Sequence, residues 1–486
     1  MHSVRPMPDQ VEFILLSFEG PDAYSLAGGL GVRISNIAQC LASQGYYTHL
    51  IFIGSPDLPG REALWEGRLQ YYRWCQWISR YHPLGVYDGE EGKLADFNQS
   101  VPPYIVDQIA RPAVAQGRRL VVLAEEWQTA EAVIRLSDQL HAAGLRADSI
   151  LLWNANNTKG FERIDWSRLD FVSTLTTVSR YMKQIMRGLG LDPLVIPNGI
   201  PADLLQPIQE TEARQVHDRV AGEGGLLLFK VARYDPDKCW MSAVDATARL
   251  KQNGANIRFV CRGGIEAHGS QVLNHARTLG LVVQDVDGCP DTWQDALAAI
   301  QAAGTADVYN LRFGMSQSML RVFYAAADFV LANSKHEPFG LVGLEAMAAG
   351  GVAITGCTGE TYSMDGSGAI ALDTGNASEL ALMLEFLHDH PRRSLAIRQT
   401  APIVAARYTW ENILDILMEK ISLAGEHQRV HPFQPTKLIH PEPVWEADLR
   451  NWVRQPVEKA LLAWPVAPEK ALLEGAVGRI ANPVPA

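Results

Sequence analysis

The sequence predicts an α/β protein with two doubly wound lobes, followed by an amphipathic helix and a tail that contains proline and tryptophan. Short apolar runs alternate with segments of helical period along most of the chain, as in parallel sheets covered by helices. The alternation lapses once, in the polar, glycine-containing stretch 206–225, and then restarts. The 486 residues are also enough for about three domains.

The first lobe is predicted at residues 1–205. Its opening strand covers residues 12–18, and a helix follows in which apolar side chains recur on one stripe from Leu30 to Leu41. Further strands are expected at 49–53, 119–124, 150–153 and 194–196, and helices near 129–143 and 180–189. This order of elements is typical of a Rossmann-like lobe.

The second lobe is predicted at residues 226–408, after a linker at 206–225. Its strands are expected at 226–232, 257–261, 329–332 and 352–355, with helices between them. Residues 410–423, within a segment 409–426, form a good amphipathic helix. The chain then ends in an extension at 427–486.

The extension contains Trp445, Trp452 and Trp464 among many prolines. Because tryptophan is unusual in a solvated linker, we expect this tail to pack on the body of the protein or on another subunit, which makes a homo-oligomer a possibility. The alternative is a disordered extension.

Charge and composition exclude several classes of protein. Forty-three Lys and Arg residues face 54 Asp and Glu, a net charge of −11, and no basic run stands out. A nucleic-acid-binding or anionic-membrane-binding protein needs a positive field, so neither is expected. No apolar run is long enough to span a bilayer, and residues 1–10 lack the order of a signal peptide, so we predict a cytoplasmic protein.

The six cysteines show no metal or redox spacing, and we expect no metal site and no bound cofactor. No C-x-x-C pair occurs, and the cysteines are predicted to be buried, reduced thiols. They are Cys40, Cys75, Cys239, Cys261, Cys289 and Cys357.

The strongest local motif is the stretch 337–345, in which Glu337 and Glu345 stand eight positions apart directly after the apolar strand 329–332. Pro338 and Gly340 mark the point where a loop becomes a helix. The N-terminus of that helix would face the carboxyl edge of the sheet and could hold a phosphate or sugar hydroxyls. Glu337 can then reach a sugar and Glu345 a ribose. The alternative is that both are ordinary helix and surface glutamates.

A second motif follows the opening strand of the second lobe. Arg233 and Lys238 stand five residues apart on a loop turned by Pro236, so both can point at one diphosphate. Pairing with Asp235 and Asp237 is the alternative.

A glycine cluster at Gly28, Gly29 and Gly31 follows the first strand and would let backbone approach a ligand closely. It does not spell the dinucleotide fingerprint G-x-G-x-x-G, so a nicotinamide enzyme is not favoured.

Two further stretches suggest sugar contacts. Residues 65–104 are dense in tryptophan and tyrosine, which fits either a carbohydrate surface or a β-meander. Asn156 and Asn157 follow a strand end, where their amides could bind hydroxyls or form an Asx turn.

These motifs, in this order, resemble the retaining glycosyltransferases of the GT-B fold, specifically family 4 and its glycogen- and starch-synthase-like relatives. The resemblance covers about residues 12–423 and includes Val178-Ser179-Arg180 and the turn at 196–199. It implies a nucleoside-diphosphate sugar, such as UDP-glucose or ADP-glucose, held by the second lobe without a required divalent metal. It also implies a carbohydrate or small-molecule acceptor held by the first lobe, and a helix at 410–423 that crosses back to the first lobe.

The chain departs from that family at two positions. Leu26 stands where the glycogen-synthase-like members have Lys, so Arg33 or nothing replaces it, and Glu125 stands at their His position. An inactive glycosyltransferase-like sugar-binding or regulatory module is therefore an alternative, as is another GT-B enzyme such as a phosphorylase or an epimerase.

The motifs and the resemblance together give a set of candidate site residues. Catalytic roles are expected for Glu337, Arg233, Lys238 and Glu125. Donor contacts are expected from Gly28, Gly29, Gly31, Phe339, Gly340, Leu341 and Glu345. Acceptor or sugar contacts are expected from Asn156, Asn157 and Ser179.

Overall fold

Two sheets, built almost entirely from parallel strands and covered by helices, form the framework of the protein. The structure is a computed structural model and describes residues 5–357, 361–364 and 368–430. The α/β class with two doubly wound lobes is confirmed. The tail predicted at 427–486 lies outside the described residues beyond position 430.

The first sheet has eight strands in the order β3-β4-β2-β1-β5-β6-β7-β8, and only β3 runs antiparallel to its neighbour. The strands are β1 Val11–Leu16, β2 Tyr47–Ile53, β3 Arg61–Leu64, β4 Leu69–Trp74, β5 Arg119–Glu125, β6 Ser149–Ala155, β7 Thr174–Thr177 and β8 Leu194–Val195. The helices are α1 Gly29–Ser43, α2 Gln76–Ser79, α3 Glu90–Tyr104, α4 Arg111–Ala115, α5 Ala130–Ala142, α6 Trp166–Val172 and α7 Arg180–Arg187, and Ile105–Ala110 is π-helical.

The second sheet has seven parallel strands in the order β11-β12-β10-β9-β13-β14-β15. The strands are β9 Leu226–Val231, β10 Ile257–Arg262, β11 Val283–Val286, β12 Val308–Leu311, β13 Phe329–Ala332, β14 Ala353–Thr355 and β15 Ala369–Ala371. The helices are α8 Glu210–Ala221, α9 Trp240–Gln252, α10 His268–Thr278, α11 Trp293–Ala302, α12 Gln317–Ala326, α13 Leu341–Ala348, α14 Thr361–Met364, α15 Ala377–Asp389, α16 Pro391–Ala406 and α17 Trp410–His427.

Each sheet reverses its strand order once. In the first sheet the reversal lies between β1 and β5, and in the second between β9 and β13. Loops that leave neighbouring strands at such a point diverge to opposite faces and open a crevice at the carboxyl edge of the sheet. Both reversals therefore mark places where a ligand can bind.

The predicted linker at 206–225 is in fact largely the helix α8. Val216, Val220 and Ala221 are buried on one face, and α8 contacts α11, α12 and β9 of the second lobe. The apolar stripe is narrow and the rest of the helix is charged, so the hydrophobic alternation of the sequence was too weak to reveal it.

The aromatic stretch 65–104 is not a β-meander. Only β3 and β4 pair there, and Tyr72 and Trp74 of β4 stack edge-on against Tyr104 of α3, with ring centroids 5.7 and 5.1 Å apart. Trp77 and Tyr81 are exposed instead. The aromatics thus serve partly as core and partly as surface.

The prediction that all six cysteines are buried is wrong. Cys75 and Cys261 are buried, but Cys289 and Cys357 are exposed and the other two are half-buried. A cysteine is small and only weakly polar, so its position in an apolar context does not fix its burial.

Helix α17 follows the second lobe but packs against α1 and β6 of the first. Gln428, just after α17, completes the contact: its Oε1 accepts from the Leu151 amide at 3.1 Å and its Nε2 donates to the Leu151 carbonyl at 2.8 Å. The side-chain amide therefore pairs with β6 as a neighbouring strand would.

Gln428→Ala is expected to lower the free energy of unfolding by about 1–3 kcal/mol, because it leaves buried backbone groups of β6 without partners. Urea unfolding measures the change, with Glu426→Ala, an exposed position on α17, as the control. Equal stability of the two variants would contradict the assigned role.

Candidate functional site

Polar side chains follow three neighbouring strands of the first sheet where each strand ends. Glu19 comes after β1, Glu126 after β5 and Asn156 after β6, and these parallel strands pair in that order. The carboxyl ends of parallel strands meet at one edge, so these residues share the crevice at the strand-order reversal.

The glycine cluster at the start of α1 holds a carboxylate of the protein itself. The amides of Gly28 and Gly31 donate to Glu19 Oε2 at 2.9 and 3.0 Å. A Cβ at Gly31 would lie 3.2 Å from this carboxylate and closer still to Leu26, so glycine permits the approach. Two of the three amides predicted to contact a donor are therefore occupied by Glu19, while Gly29 is exposed.

Glu125 is not a solvated carboxylate at the edge of the strand. It is fully buried, its Oε1 accepts from Arg33 Nε at 3.1 Å, and its Oε2 accepts from the side chains of Asn154 and Asn156 at 2.8 and 2.7 Å. A buried charge needs such partners, and they use both oxygens. The catalytic role expected for Glu125 is therefore not supported by this geometry, because neither oxygen is left free to contact a substrate.

Arg33 joins Glu125 to a distant turn. Its Nη1 donates to the Pro197 carbonyl at 3.2 Å and to Asn198 Oδ1 at 2.5 Å. Arg33 is 1% exposed and paired, so it does not replace the cation that the glycogen-synthase-like members have as a lysine at the position of Leu26. It fixes α1, β5 and the turn at 197–198 against one another.

Glu126 is a buried carboxyl group on a strained backbone. Its φ of 67° and ψ of 166° fall in a region that favours glycine. The carboxyl group accepts from the Asn156 amide at 2.6 Å, and burial raises the pKa of Glu126 to about 8. Such strain concentrates at functional sites. Sequence reasoning gave Glu126 no role of its own, because its only signal was its place beside Glu125.

Asn156, Asn157 and Ser179 mainly organise their own loops. Asn156 is held by Glu125 and Glu126, and Asn157 Oδ1 accepts from the Lys159 amide at 2.7 Å in an Asx turn. Ser179 is fully buried and caps α7, with Oγ accepting from the Met182 amide at 3.1 Å. The predicted acceptor contact of Ser179 therefore has no exposed side chain to make it.

In the second lobe, the reversal between β9 and β13 brings a cation and a carboxylate together. Lys238, on the loop after β9, lies 2.5 Å from Glu337 Oε2, on the loop after β13. Both side chains are about one-fifth exposed. Arg233 is exposed on the same loop as Lys238, and Asp235 and Asp237 of that loop add two carboxylates to this edge.

The loop before α13 is built by packing. Phe339 is buried and its ring lies against those of Tyr362 and Tyr408, with centroids 5.6 and 6.2 Å away. Gly340 caps α13 with a φ of 82°, which favours glycine, and Leu341 begins the helix. Phe339 supports the loop from below and has no exposed face for a donor.

Glu345 lies on α13 with its side chain partly exposed. The Tyr324 hydroxyl donates to its Oε2 at 3.4 Å, and burial raises the pKa of Glu345 to about 7. A side-chain hydrogen bond with Gln317 also favours the charged form, so two protein groups hold the carboxyl group, which is still partly exposed and can accept from a further donor.

Lys230 is a buried cation that sequence reasoning did not assign to the site. Its Nζ donates to Asn333 Oδ1 at 2.6 Å and to the Leu331 carbonyl at 3.1 Å, and burial lowers its pKa to about 7. The sequence feature that could have identified it is a lysine within the otherwise apolar run of β9. It ties the ends of β9 and β13 together beneath Lys238.

The two lobes contact each other beside this edge. The Tyr181 hydroxyl of α7 lies 3.2 Å from Nδ1 of His336, and His336 directly precedes Glu337 in the chain. A first-lobe helix therefore borders the loop that carries the second-lobe carboxylate.

Residues 213–402 match the family described as "Glycosyl transferases group 1". This part of the chain is therefore similar to a glycosyltransferase group 1 domain. A relative named D-inositol 3-phosphate glycosyltransferase, from Stackebrandtia nassauensis, is 27% identical over 84% of this chain and 89% of its own length. The same name belongs to a Geodermatophilus obscurus relative, 27% identical, of which the chain spans about half the length (51%). Sucrose-phosphate synthase from Thermosynechococcus elongatus matches in structure with a TM-score of 0.61 at 18% identity, over 85% of this chain and all of that one.

The matched segment includes Lys230, Arg233, Lys238, Glu337 and Glu345, and the structural match extends the fold similarity to both lobes. Within the ranges that the structure describes, no three His, Cys, Asp or Glu side chains are arranged to hold a metal ion. None of the helices in those ranges is both long and apolar enough to cross a bilayer.

Arg33→Met is expected to lower the free energy of unfolding by about 3–5 kcal/mol, because Glu125 would remain buried without its counter-ion. Adding Glu125→Gln to that variant should restore part of the loss, since the uncompensated charge is removed. Urea unfolding measures both, with Arg135→Met, an exposed helix position, as the control. A cost no larger than that of the control would contradict the inferred role of the pair.

Proposed function

We propose that the protein is a retaining glycosyltransferase that moves a hexosyl group from a nucleoside-diphosphate sugar to an acceptor hydroxyl without a divalent metal. UDP-glucose and ADP-glucose are the first donors to test. The observation that carries the proposal is the meeting of Lys238 and Glu337, with Arg233 on the same loop, at the strand-order reversal of the lobe that is similar to a glycosyltransferase group 1 domain.

In this mechanism Arg233 and Lys238 bind the diphosphate. As the bond between the sugar and the diphosphate breaks, negative charge grows on the phosphate oxygen that was bonded to the sugar. Cations already in place therefore stabilise the transition state more than the ground state. Lys238 would then be shared between Glu337 and the diphosphate. This cation pair takes the part that a metal ion plays in other transferases.

Glu337 and Glu345 accept hydrogen bonds from different parts of the donor. Glu337 stands beside Lys238 and is proposed to hold hydroxyls of the reacting sugar. Glu345, which is partly exposed and forms hydrogen bonds with Gln317 and Tyr324, is proposed to hold ribose hydroxyls. Hydroxyls donate to carboxylates readily, so both roles suit the chemistry of these groups.

In the first lobe, Glu125 is proposed as a positioning residue rather than a catalytic one. It holds Asn156 and Arg33, and through them the loops that border the crevice. Retention requires the acceptor hydroxyl to attack from the face that the diphosphate leaves. The first lobe must therefore hold the acceptor close to the departing oxygen, which can take the proton.

Binding of a nucleoside diphosphate is expected to persist in the presence of a chelator and to weaken about 10- to 100-fold in Arg233→Ala, because a charged hydrogen bond contributes about 1.5–3 kcal/mol. Calorimetry with UDP and ADP measures this, and Arg277→Ala, an exposed arginine of the same lobe, is the control. Loss of binding on chelation, with Arg233→Ala unaffected, would contradict a metal-independent site.

Nucleotide affinity is expected to increase between pH 6 and pH 8 and to lose most of this dependence in Glu345→Gln. The pKa of Glu345 is about 7, so its carboxylate ionises across this range and becomes the stronger acceptor for ribose hydroxyls. Glu337→Gln should instead lower turnover while nucleotide affinity is kept. Affinity and turnover measured at each pH separate the two, and an unchanged pH profile in Glu345→Gln would exclude the ribose role.

A further inference from the structure

The N-terminus of α1 would be the natural site for a phosphate in the first-lobe crevice, but it already holds an anion. The helix is 15 residues long, and the amides of Gly28 and Gly31 are among those at its start that have no hydrogen-bond partner within the helix. Both donate to the Glu19 carboxylate, which is 5% exposed. A second anion here would lose these donors and meet a like charge.

Glu19 is held so that it cannot easily turn away. Its Oε1 accepts from the Tyr87 hydroxyl at 2.6 Å. The loop that carries Tyr87 is fixed by Lys93, whose Nζ donates to the carbonyls of Gly85 and Val86, each at 3.1 Å. Lys93 is itself fully buried, so its charge serves this loop and is not presented to a ligand.

The neighbouring groups of the crevice are mostly hydrogen-bond acceptors. Gln128 is 4% exposed; its Nε2 donates to Glu90 at 3.0 Å, while its Oε1 has no hydrogen-bond partner among the described residues. Glu126, whose side chain is also buried, lies two residues before Gln128 in the sequence. The Tyr87 hydroxyl binds Glu19 directly, and burial, followed by the charges of Glu19, Glu126 and Glu90, raises the pKa of Tyr87.

The cations in this region are mostly engaged. Arg33 is paired with Glu125, although its Nη2 has no partner in the described part of the chain. Arg163 pairs with Glu91 and lies over the Trp127 ring. Lys159 lies over the ring of Tyr87, 5.7 Å from its centroid. Among the described residues, no ion pair joins any of these cations to Glu19.

We propose that the acceptor is an unphosphorylated polyol, and that Glu19 is the residue that excludes a phosphorylated one. This inference rests on the proposed function and specifies its acceptor. Hydroxyls donate to carboxylates and to the unpartnered oxygen of Gln128, whereas a phosphate at neutral pH can only accept. The first-lobe groups named above therefore match a ligand rich in hydroxyl donors. The acceptor would differ from the inositol 3-phosphate in the names of the curated relatives.

The test compares matched acceptors that differ only in a phosphate. The donor is UDP-glucose or ADP-glucose, according to which nucleoside diphosphate binds in calorimetry. Transfer is followed with myo-inositol and inositol 3-phosphate, and with glucose and glucose 6-phosphate. We expect kcat/KM for the free polyol to exceed that for its phosphate by about tenfold or more, because like charges brought together are strongly disfavoured. Preference for the phosphorylated member of each pair would overturn the inference.

Glu19→Gln tests the residue itself. It keeps an acceptor oxygen at the α1 amides but removes the charge, so the ratio of kcat/KM for phosphorylated to free acceptor should rise about tenfold, a change of about 1.4 kcal/mol. Glu131→Gln, at a partly exposed glutamate on α5 of the same lobe that pairs with Arg135, should leave the ratio unchanged. An unchanged ratio in Glu19→Gln would also overturn the inference.

A second variant covers the case in which Glu19→Gln does not fold, as judged by its melting temperature. Tyr87→Phe removes the hydroxyl that holds Glu19 Oε1, so Glu19 can move and the same ratio should rise, though less. An unchanged ratio in folded Tyr87→Phe would count against the inference.

Consumption of the donor separates the two proposals. If donor is consumed and transfer occurs only to phosphorylated acceptors, the acceptor class alone is overturned. No donor consumption with any acceptor overturns the proposed function as well.

Discussion

The buried ion pair of Arg33 and Glu125 is the interaction on which the first-lobe side of the crevice depends. A helix, a strand end and a distant turn all meet at these two side chains. The pair is excluded from water, and both carboxylate oxygens and two of the three guanidinium nitrogens have partners in the described part of the chain. The loop at Asn156 takes its position from the same carboxylate.

The two strand-order reversals present different charged groups. At the first, backbone amides hold the Glu19 carboxylate, whereas burial raises the pKa of Glu126 to about 8 and keeps that carboxyl group largely protonated at neutral pH. At the second, Lys238 and Arg233 stand near the Glu337 carboxylate, on a loop that also carries Asp235 and Asp237. Under the proposed function, the cations of the second edge would bind the anionic leaving group, and the first edge would bind a ligand that donates hydrogen bonds.

Strands were predictable from the sequence where they were continuously apolar. The run at 329–332 was predicted with the bounds of β13, and 226–232 differed from β9 by one residue. Strands such as β7 at Thr174–Thr177 and β11 at Val283–Val286 were missed, because they are polar and are held by pairing with their neighbours. The charged helix α8 was missed for a related reason, since only a narrow stripe of it is buried.

The sequence by itself determined that a glycine cluster follows the first strand and that two cations and two glutamates follow strands of the second lobe. Local order suffices for this, because loops after parallel strands must reach the same edge. Only the tertiary structure decided which of these groups face a ligand. Glu125 meets its counter-ion 92 residues away in sequence, and Glu19 occupies the amides that the glycine pattern had offered to a substrate. A buried charge takes whichever partner the fold brings to it, and a local pattern holds no record of that partner.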